Sequence, residues 1–237
     1  MAESASRWSR RRIAARVLLG VGLILTVLVV LVKWSPAVYR RTVPMAASEA
    51  AGQDFDRRVV NRVGNVLLDE SGKTPLDLEI TEEMVNARIA RFLADMERDG
   101  QPVPQALADA RIGFEPGEVV FATQIGNGLT SIVVAQRFRL AAEADGRLRV
   151  EPAGTSAGLV PLPVGVLDRT RQIVSAELAR QQASGAPPNT IKLWRSVLQG
   201  LEGKSVTLGE GKNQILVTSV EVQQGVVRLK GRRAGVR

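Results

Sequence analysis

The residue types that most often do chemistry in proteins are missing from this chain of 237 residues, which has no cysteine and no histidine. Without them a disulfide, a Cys/His zinc site, a histidine-ligated haem or a Ser-His-Asp triad cannot be built. Histidine is also the commonest general base at neutral pH. The composition therefore predicts a protein that is not an enzyme and that needs no cofactor.

Neighbouring carboxylates are the remaining candidates for acid–base or metal chemistry, and they occur at Asp69-Glu70 and Glu82-Glu83. Side chains of adjacent residues point to different sides of a helix or strand, so neither pair can work on one substrate atom. Glu82-Glu83 directly follows Thr81, a good N-cap, and carboxylates there favour the positive end of a helix dipole. We therefore assign no catalytic and no metal-binding residue.

The basic side chains are concentrated near the N-terminus rather than in the body of the chain. Residues 1–41 contain eight Lys and Arg and one acid, whereas residues 42–237 contain 24 basic and 23 acidic side chains. A nucleic-acid-binding domain carries its basic excess in the folded part. The charge distribution thus favours membrane topology over a nucleic-acid partner.

An uncharged apolar run of 16 residues extends from Val17 to Val32. With its flanks, residues 13–34, it predicts a transmembrane helix, because a helix of about 20 residues matches the bilayer core. Lys33 can reach the headgroups and Trp34 suits the membrane interface. A cleaved signal peptide is the alternative interpretation, since small residues follow the run.

The flanking charges predict the orientation of this anchor. Five arginines precede the apolar run and three basic residues follow it, which favours a cytoplasmic tail over residues 1–12. Residues 35–52 are rich in small residues and proline and predict a linker. Residues 53–237 would then form one extracytoplasmic domain, held on the cytoplasmic membrane of a bacterium by a single span.

Hydrophobic periodicity predicts an α+β domain, a curved antiparallel sheet with amphipathic helices on one face. The helices are expected over residues 55–68, from residue 82 to Gly100, over 164–182 and near 191–201. The strands are expected over residues 75–80, 111–115, 118–125, 130–142, 147–151, 205–208, 214–222 and 226–230. Pro116-Gly117 and Gln224-Gly225 are the predicted hairpin turns.

The strand predicted over residues 130–142 alternates between apolar and polar side chains. Its even positions are mostly apolar, and its odd positions include Ser131, Arg137 and Arg139. This pattern predicts that the even side is buried against the helix bearing Phe92, with the odd side in water.

Several segments together resemble the YpmS-like family of single-pass bacterial membrane proteins of unknown function. They are the N-terminal anchor, LDLEITEEMVNARIARFL (76–93), DGRLRV (145–150), GLVPLPVGVLDRTRQIV (158–174) and VEVQQGVVRLKGR (220–232). The chain is also distantly similar to LmeA-like proteins, which look like shortened tubular lipid-binding (TULIP-type) domains. The resemblance implies a long helix in a curved sheet around an apolar groove, and it implies no catalytic residue.

Two candidate binding surfaces follow. The apolar side chains that would line a groove for acyl chains, or else form an ordinary core, are Phe92, Phe121, Ile132, Val134, Phe138 and Leu140. Three basic side chains share one face of the last strand, where they would contact anionic headgroups or simply be solvated: Arg228, Lys230 and Arg232.

The expected function is that of a non-enzymatic, membrane-anchored protein of the cell envelope that binds or shields a lipid or other apolar ligand. Its partners would be the membrane and that ligand. The alternative is a structural or interaction protein that docks another envelope protein, with the apolar stripe as ordinary core.

Overall fold

The computed structural model describes residues 23, 26–42, 49–69, 71, 73–100, 103, 109–126, 128, 131–163, 165–183, 185, 191, 195, 198–199, 201–208 and 214–234. Its helices are α1 (Ala37–Arg41), α2 (Glu49–Phe55), a π-helical turn (Asp56–Val60), α3 (Asn61–Leu68), α4 (Glu82–Arg98) and α5 (Gly165–Ala183). Its strands are β1 (Leu76–Thr81), β2 (Arg111–Glu115), β3 (Glu118–Ile125), β4 (Ile132–Ala142), β5 (Leu148–Ala157), β6 (Val160–Pro161), β7 (Ser205–Val206), β8 (Ile215–Gln223) and β9 (Val226–Arg233).

The α+β class with antiparallel pairing is confirmed, but the strands form two sheets instead of one. One sheet has the order β1-β9-β8, and the other has the order β2-β3-β4-β5-β6 with β7 also on β5. The pairing of β1 with β9 joins Leu78 to Leu229, far apart in sequence. Local periodicity carries no information on such a partner, so the division into two sheets could not be predicted.

The helix entry after β1 forms as expected from its sequence. Thr81 caps α4, its Oγ1 accepting a hydrogen bond of 3.3 Å from the Met84 backbone N–H. Two carboxylates, Glu82 and Glu83, occupy the first turn, where the helix dipole favours them. The strand-to-helix prediction is therefore confirmed.

Helix α4 covers the outer edge of β2. The Asn86 side chain donates to Ile112 O and accepts from Ile112 N, both at 2.7 Å. The Glu82 carboxylate accepts from Phe114 N at 2.5 Å. An unpaired strand edge is a template for aggregation, and these side chains satisfy it in place of another strand.

The main hydrophobic core lies between the two sheets. Its buried members are Val66, Leu76, Leu78, Phe114, Ile215, Val217, Val222, Val227 and Leu229. Side chains of the larger sheet such as Ile112, Val119 and Leu140 pack against it. We call the face of the larger sheet that carries Val119 and Leu140 the inner face, and the opposite face the outer face.

The outer face of the larger sheet is covered by residues that the sequence assigns to a linker. Helix α1 lies there, and its Val38 is 0% exposed and Tyr39 7% exposed. They form a second core with Val120, Ala122, Val133 and Ala135. This part of residues 35–52 is thus packed on the sheet, and we call residues 34–42 the strap.

The strap overturns the predicted burial of β4. Val133 and Ala135 occupy odd positions expected in water, yet they are 6% and 0% exposed. The prediction failed because period-2 alternation distinguishes two faces without showing which one another segment covers. Helices also contact both faces, since Val174 of α5 packs with Phe138 on the inner one. The expectation of helices on one face is therefore wrong.

The N-terminal part of the chain is described at residue 23 and continuously from residue 26, where a helical segment extends to Lys33. No helix among the described residues has the length and apolarity that a membrane crossing requires. The predicted tail over residues 1–12 and most of the predicted span lie outside the described residues.

Candidate functional site

Three predicted groove residues lie together on the inner face near one end of the larger sheet. Phe121 comes from β3, and Ile132 and Val134 come from β4. Register pairs Ile125 with Ile132 and Thr123 with Val134. Phe121, Ile132 and Val134 are partly buried, and none of the buried clusters of the described residues includes them. We call Phe121, Ile125, Ile132 and Val134 the open stretch.

The other two sheet residues of the predicted groove have partners in the core. Phe138 packs with Val174 and Leu201. Leu140 packs against the main core between the sheets. The predicted stripe is therefore core at one end, whereas the open stretch lies outside the buried clusters of the described residues.

A polar pair separates the two parts of the stripe. Thr155 Oγ1 donates to Gln136 Oε1 at 2.5 Å, and Gln136 Nε2 donates to Gly154 O at 2.9 Å. Gln136 is 9% exposed, so these bonds offset the cost of burying its amide. The pair marks where the apolar surface of the open stretch ends.

Phe92 comes from a different element than the other groove residues. Helix α4 packs mainly on α2, β1 and the edge strand β2. Phe92 is partly buried and follows Val85, which packs against the main core, by two helical turns. The geometry thus places Phe92 on a helix beside the sheet, and its membership of a groove stays a prediction.

The strap is held on the outer face by fitted packing. Gly113 lies opposite Val38, and a Cβ on residue 113 would overlap Val38 Cγ1. The Val38 side chain therefore occupies the space that a side chain at residue 113 would need, so this position of β2 accepts only glycine. The packing fixes the strap to both β2 and its neighbours β3 and β4.

Arg111 clamps the strap electrostatically. Its Nη1 donates to Tyr39 O at 2.5 Å and to Thr42 O at 2.6 Å, and its guanidinium lies 3.8 Å from the centre of the Tyr39 ring. Burial, with a contribution from Asp109, raises the pKa of Tyr39 against the opposing effect of Arg111. Tyr39 Oη also donates to Gln124 Oε1 at 3.2 Å.

The N-terminal helical segment meets the sheet at the end where the open stretch lies. Leu159 N donates to Leu31 O at 3.0 Å, and Lys33 Nζ donates to Ser131 O at 3.0 Å. Gly158 has φ +57°, and a Cβ there would overlap the carbonyl oxygen of Val32. We call this end of the larger sheet, with Ile125, Ser131, Gly158 and Leu159, the anchor end.

The helical segment has exposed apolar side chains on all of its sides. Four consecutive side chains are 41–59% exposed, and four consecutive positions cover every side of a helix. They are Val27, Leu28, Val29 and Val30. A helix that is apolar on all sides requires an apolar environment around it.

The basic stripe on β9 has the predicted geometry but lies among acids. Arg228, Lys230 and Arg232 are exposed on one face, whereas Val227 and Leu229 are buried. The paired residues beside them include Asp77, Glu79 and Glu221, and Arg228 forms a salt bridge of 3.1 Å with Glu79. Interleaved carboxylates cancel most of the field that would attract anionic headgroups, so this face is a poor headgroup site.

The candidate carboxylates have structural partners. Glu82 accepts from Arg41 Nη2 at 2.5 Å as well as from the β2 edge. Asp69 accepts from Ser71 and from Thr74 N, and these hydrogen bonds lower its pKa strongly. In the part of the chain that the structure describes, no group of three potential metal ligands is found.

Sequence reasoning missed Val38, Ile125 and Leu159. The burial of Val38 cannot be detected from the sequence around it, because the residues that bury it lie about 75 or more positions away. Ile125 could have been found, because it is an apolar residue on the same odd-numbered side of β3 as Phe121. Leu159 lies in a turn, and nothing in a turn sequence indicates an interaction with a distant helix.

Comparison of the chain with protein-family models, curated proteins and solved structures found no match. Membership of the YpmS-like family, and its likeness to LmeA-like domains, stay predictions. The functional conclusion therefore rests on the open stretch, the strap and the anchor end.

Proposed function

We propose that this chain is a non-enzymatic, membrane-anchored protein of the bacterial cell envelope that binds or shields an apolar ligand, such as a lipid acyl chain, on the open stretch. One observation carries the proposal. The small side chains of the outer face, such as Ala122 and Ala135, are 0% exposed, whereas the larger Phe121 and Ile132 on the inner face stay partly exposed. Large apolar side chains left accessible together on one face are typical of a binding surface.

The membrane anchor in this proposal is the apolar segment over residues 13–34, with the N-terminus in the cytoplasm. The exposed side chains of Val27 to Val30 support it, because they would otherwise leave apolar surface in water. The strap would make the anchor rigid. Its buried Val38 and its Arg111 clamp hold the domain in one orientation to the helix.

The energetics of such a site are those of hydrophobic transfer. Each CH₂ group moved from water onto the apolar surface contributes about 0.8 kcal/mol. Ile125 extends the open stretch to the anchor end, with 53% of the side chain exposed. A ligand chain would therefore enter from the membrane side and pass Ile132 and Val134 toward the Gln136–Thr155 pair.

The test is native mass spectrometry of the full chain, purified in mild detergent, followed by organic extraction and lipid analysis. We expect a lipid at fixed stoichiometry. Val134→Trp, which fills the open stretch, should lower the bound amount. Val60→Trp is the matched control, because Val60 is 57% exposed on the π-helical turn. A bare protein mass with nothing extractable, or equal loss in both variants, would overturn the proposal.

A further inference from the structure

Large exposed apolar side chains occur at the anchor end in addition to those of the helical segment. Ile125 is 53% exposed and Leu159 is 47% exposed. They come from different connections, Ile125 from the end of β3 and Leu159 from the turn between β5 and β6. Neither belongs to a buried cluster of the described residues. Packing among the described residues therefore does not account for them.

The hydrogen bonds of the anchor end fix its position along the axis of the apolar helical run. Leu159 N donates a hydrogen bond of 3.0 Å to Leu31 O, and Leu31 precedes Val32, the last residue of the uncharged apolar run. The interfacial layer on each side of a bilayer core is about 5–8 Å thick. A residue bonded to the last turn of a spanning helix therefore lies within that layer.

The aromatic and basic side chains beside the anchor end are of the types found at a membrane–water interface. Trp34 is 50% exposed, and the Arg40 guanidinium lies 5.8 Å from the centre of its ring. Lys33 follows the apolar run directly and is held at Ser131 O. Tryptophan and basic side chains are the groups that proteins place at headgroup level.

We propose that the anchor end is a membrane-contact surface, in which Ile125 and Leu159 insert into the lipid interface beside the helix. The partner is the lipid bilayer that holds the helix, so the inference rests on the anchor of the proposed function. It adds that the domain sits directly on the bilayer, with the open stretch beginning at the lipid surface. The acyl chain then passes onto Ile132 without crossing water.

The absence of cysteine makes the test direct, because a single introduced cysteine is a unique labelling site. The variants are Ile125→Cys and Leu159→Cys at the anchor end, and Val27→Cys in the helical segment. Leu68→Cys, at a side chain 80% exposed on α3, is the control for an apolar residue elsewhere. Each full chain carries an environment-sensitive fluorophore and is reconstituted into phosphatidylcholine–phosphatidylglycerol vesicles containing nitroxide lipids.

We expect loss of fluorescence at residues 125 and 159 with nitroxides at the headgroup or shallow acyl carbons, and at residue 27 with deep acyl nitroxides. Residue 68 should keep its fluorescence. Quenching at 27 without quenching at 125 and 159 would overturn this inference and leave the anchor standing. No quenching at 27 would overturn the anchor itself. Equal quenching at 68 and 125 would also overturn the inference, since the contact would not be specific to the anchor end.

Discussion

The apolar side chains on the two faces of the larger sheet are buried to different extents. On the outer face Ala135 and the strap residue Val38 that covers this face are 0% exposed, and the strap fits onto a glycine. On the inner face the open stretch keeps larger side chains, including Phe121, partly exposed. The difference shows that the outer face forms a packed core with the strap, whereas part of the inner face is less buried among the described residues. Burial, rather than apolar character alone, separates core from candidate site.

Truncating one valine on each face gives the largest expected contrast. Val38→Ala should lower the free energy of unfolding by about 2–3 kcal/mol, because it removes buried methyl groups and leaves a cavity. Val134→Ala should cost less than about 1 kcal/mol, since the side chain is only partly buried. Denaturant unfolding of the full chain in detergent measures both. Equal losses would show that the two faces do not differ.

A methyl group added under the strap should give the next effect. Gly113→Ala places a Cβ against Val38 and should destabilise the protein by about 1–3 kcal/mol through overpacking. Gly64→Ala is the control, because nothing lies within 4 Å of a Cβ there. In α3 that change should stabilise by about 0.5–1 kcal/mol. The sign of the two shifts in melting temperature is the readout, and a stabilising Gly113→Ala would contradict the strap packing.

The electrostatic clamp on the outer face should contribute less than the packing. Arg111→Met removes charge-assisted bonds to Tyr39 O and Thr42 O and should cost about 1–2 kcal/mol. Arg139→Met removes a salt bridge of 3.2 Å to Glu118 by a side chain 65% exposed, and such exposed pairs contribute about 0–1 kcal/mol. The denaturant midpoints of unfolding of the two variants, each compared with the unchanged chain, measure the two losses. A larger loss for Arg139→Met would contradict the clamp.

The smallest effect should appear at alkaline pH. Burial raises the pKa of Tyr39 above its usual value of 10.0, so folding favours the neutral phenol. The stability it contributes is present below that value and is lost as the pH rises through the raised pKa. Tyr39 is the only tyrosine, so ultraviolet titration of tyrosinate reports it alone. A midpoint at or below the usual value in the folded chain, or an unchanged alkaline stability loss in Tyr39→Phe, would contradict this prediction.

Much of the local structure could be predicted from sequence. The Pro116-Gly117 hairpin, the Thr81 cap and the long helix over residues 165–183 occur where expected. These features depend on residues within a few positions of each other, so their signals lie in short windows. For the candidate site, three of six predicted groove residues share the open stretch, and Phe138 and Leu140 are core.

The sequence by itself determined most of the strands and the two long helices, the charge distribution, the apolar run and the absence of cysteine and histidine chemistry. Only the tertiary structure decided that β1 pairs with β9, that the strap covers the outer face and that Leu31 meets Leu159. The physical reason is that alternation and propensity act within a segment. Which apolar face is covered depends instead on contacts between segments far apart in the chain.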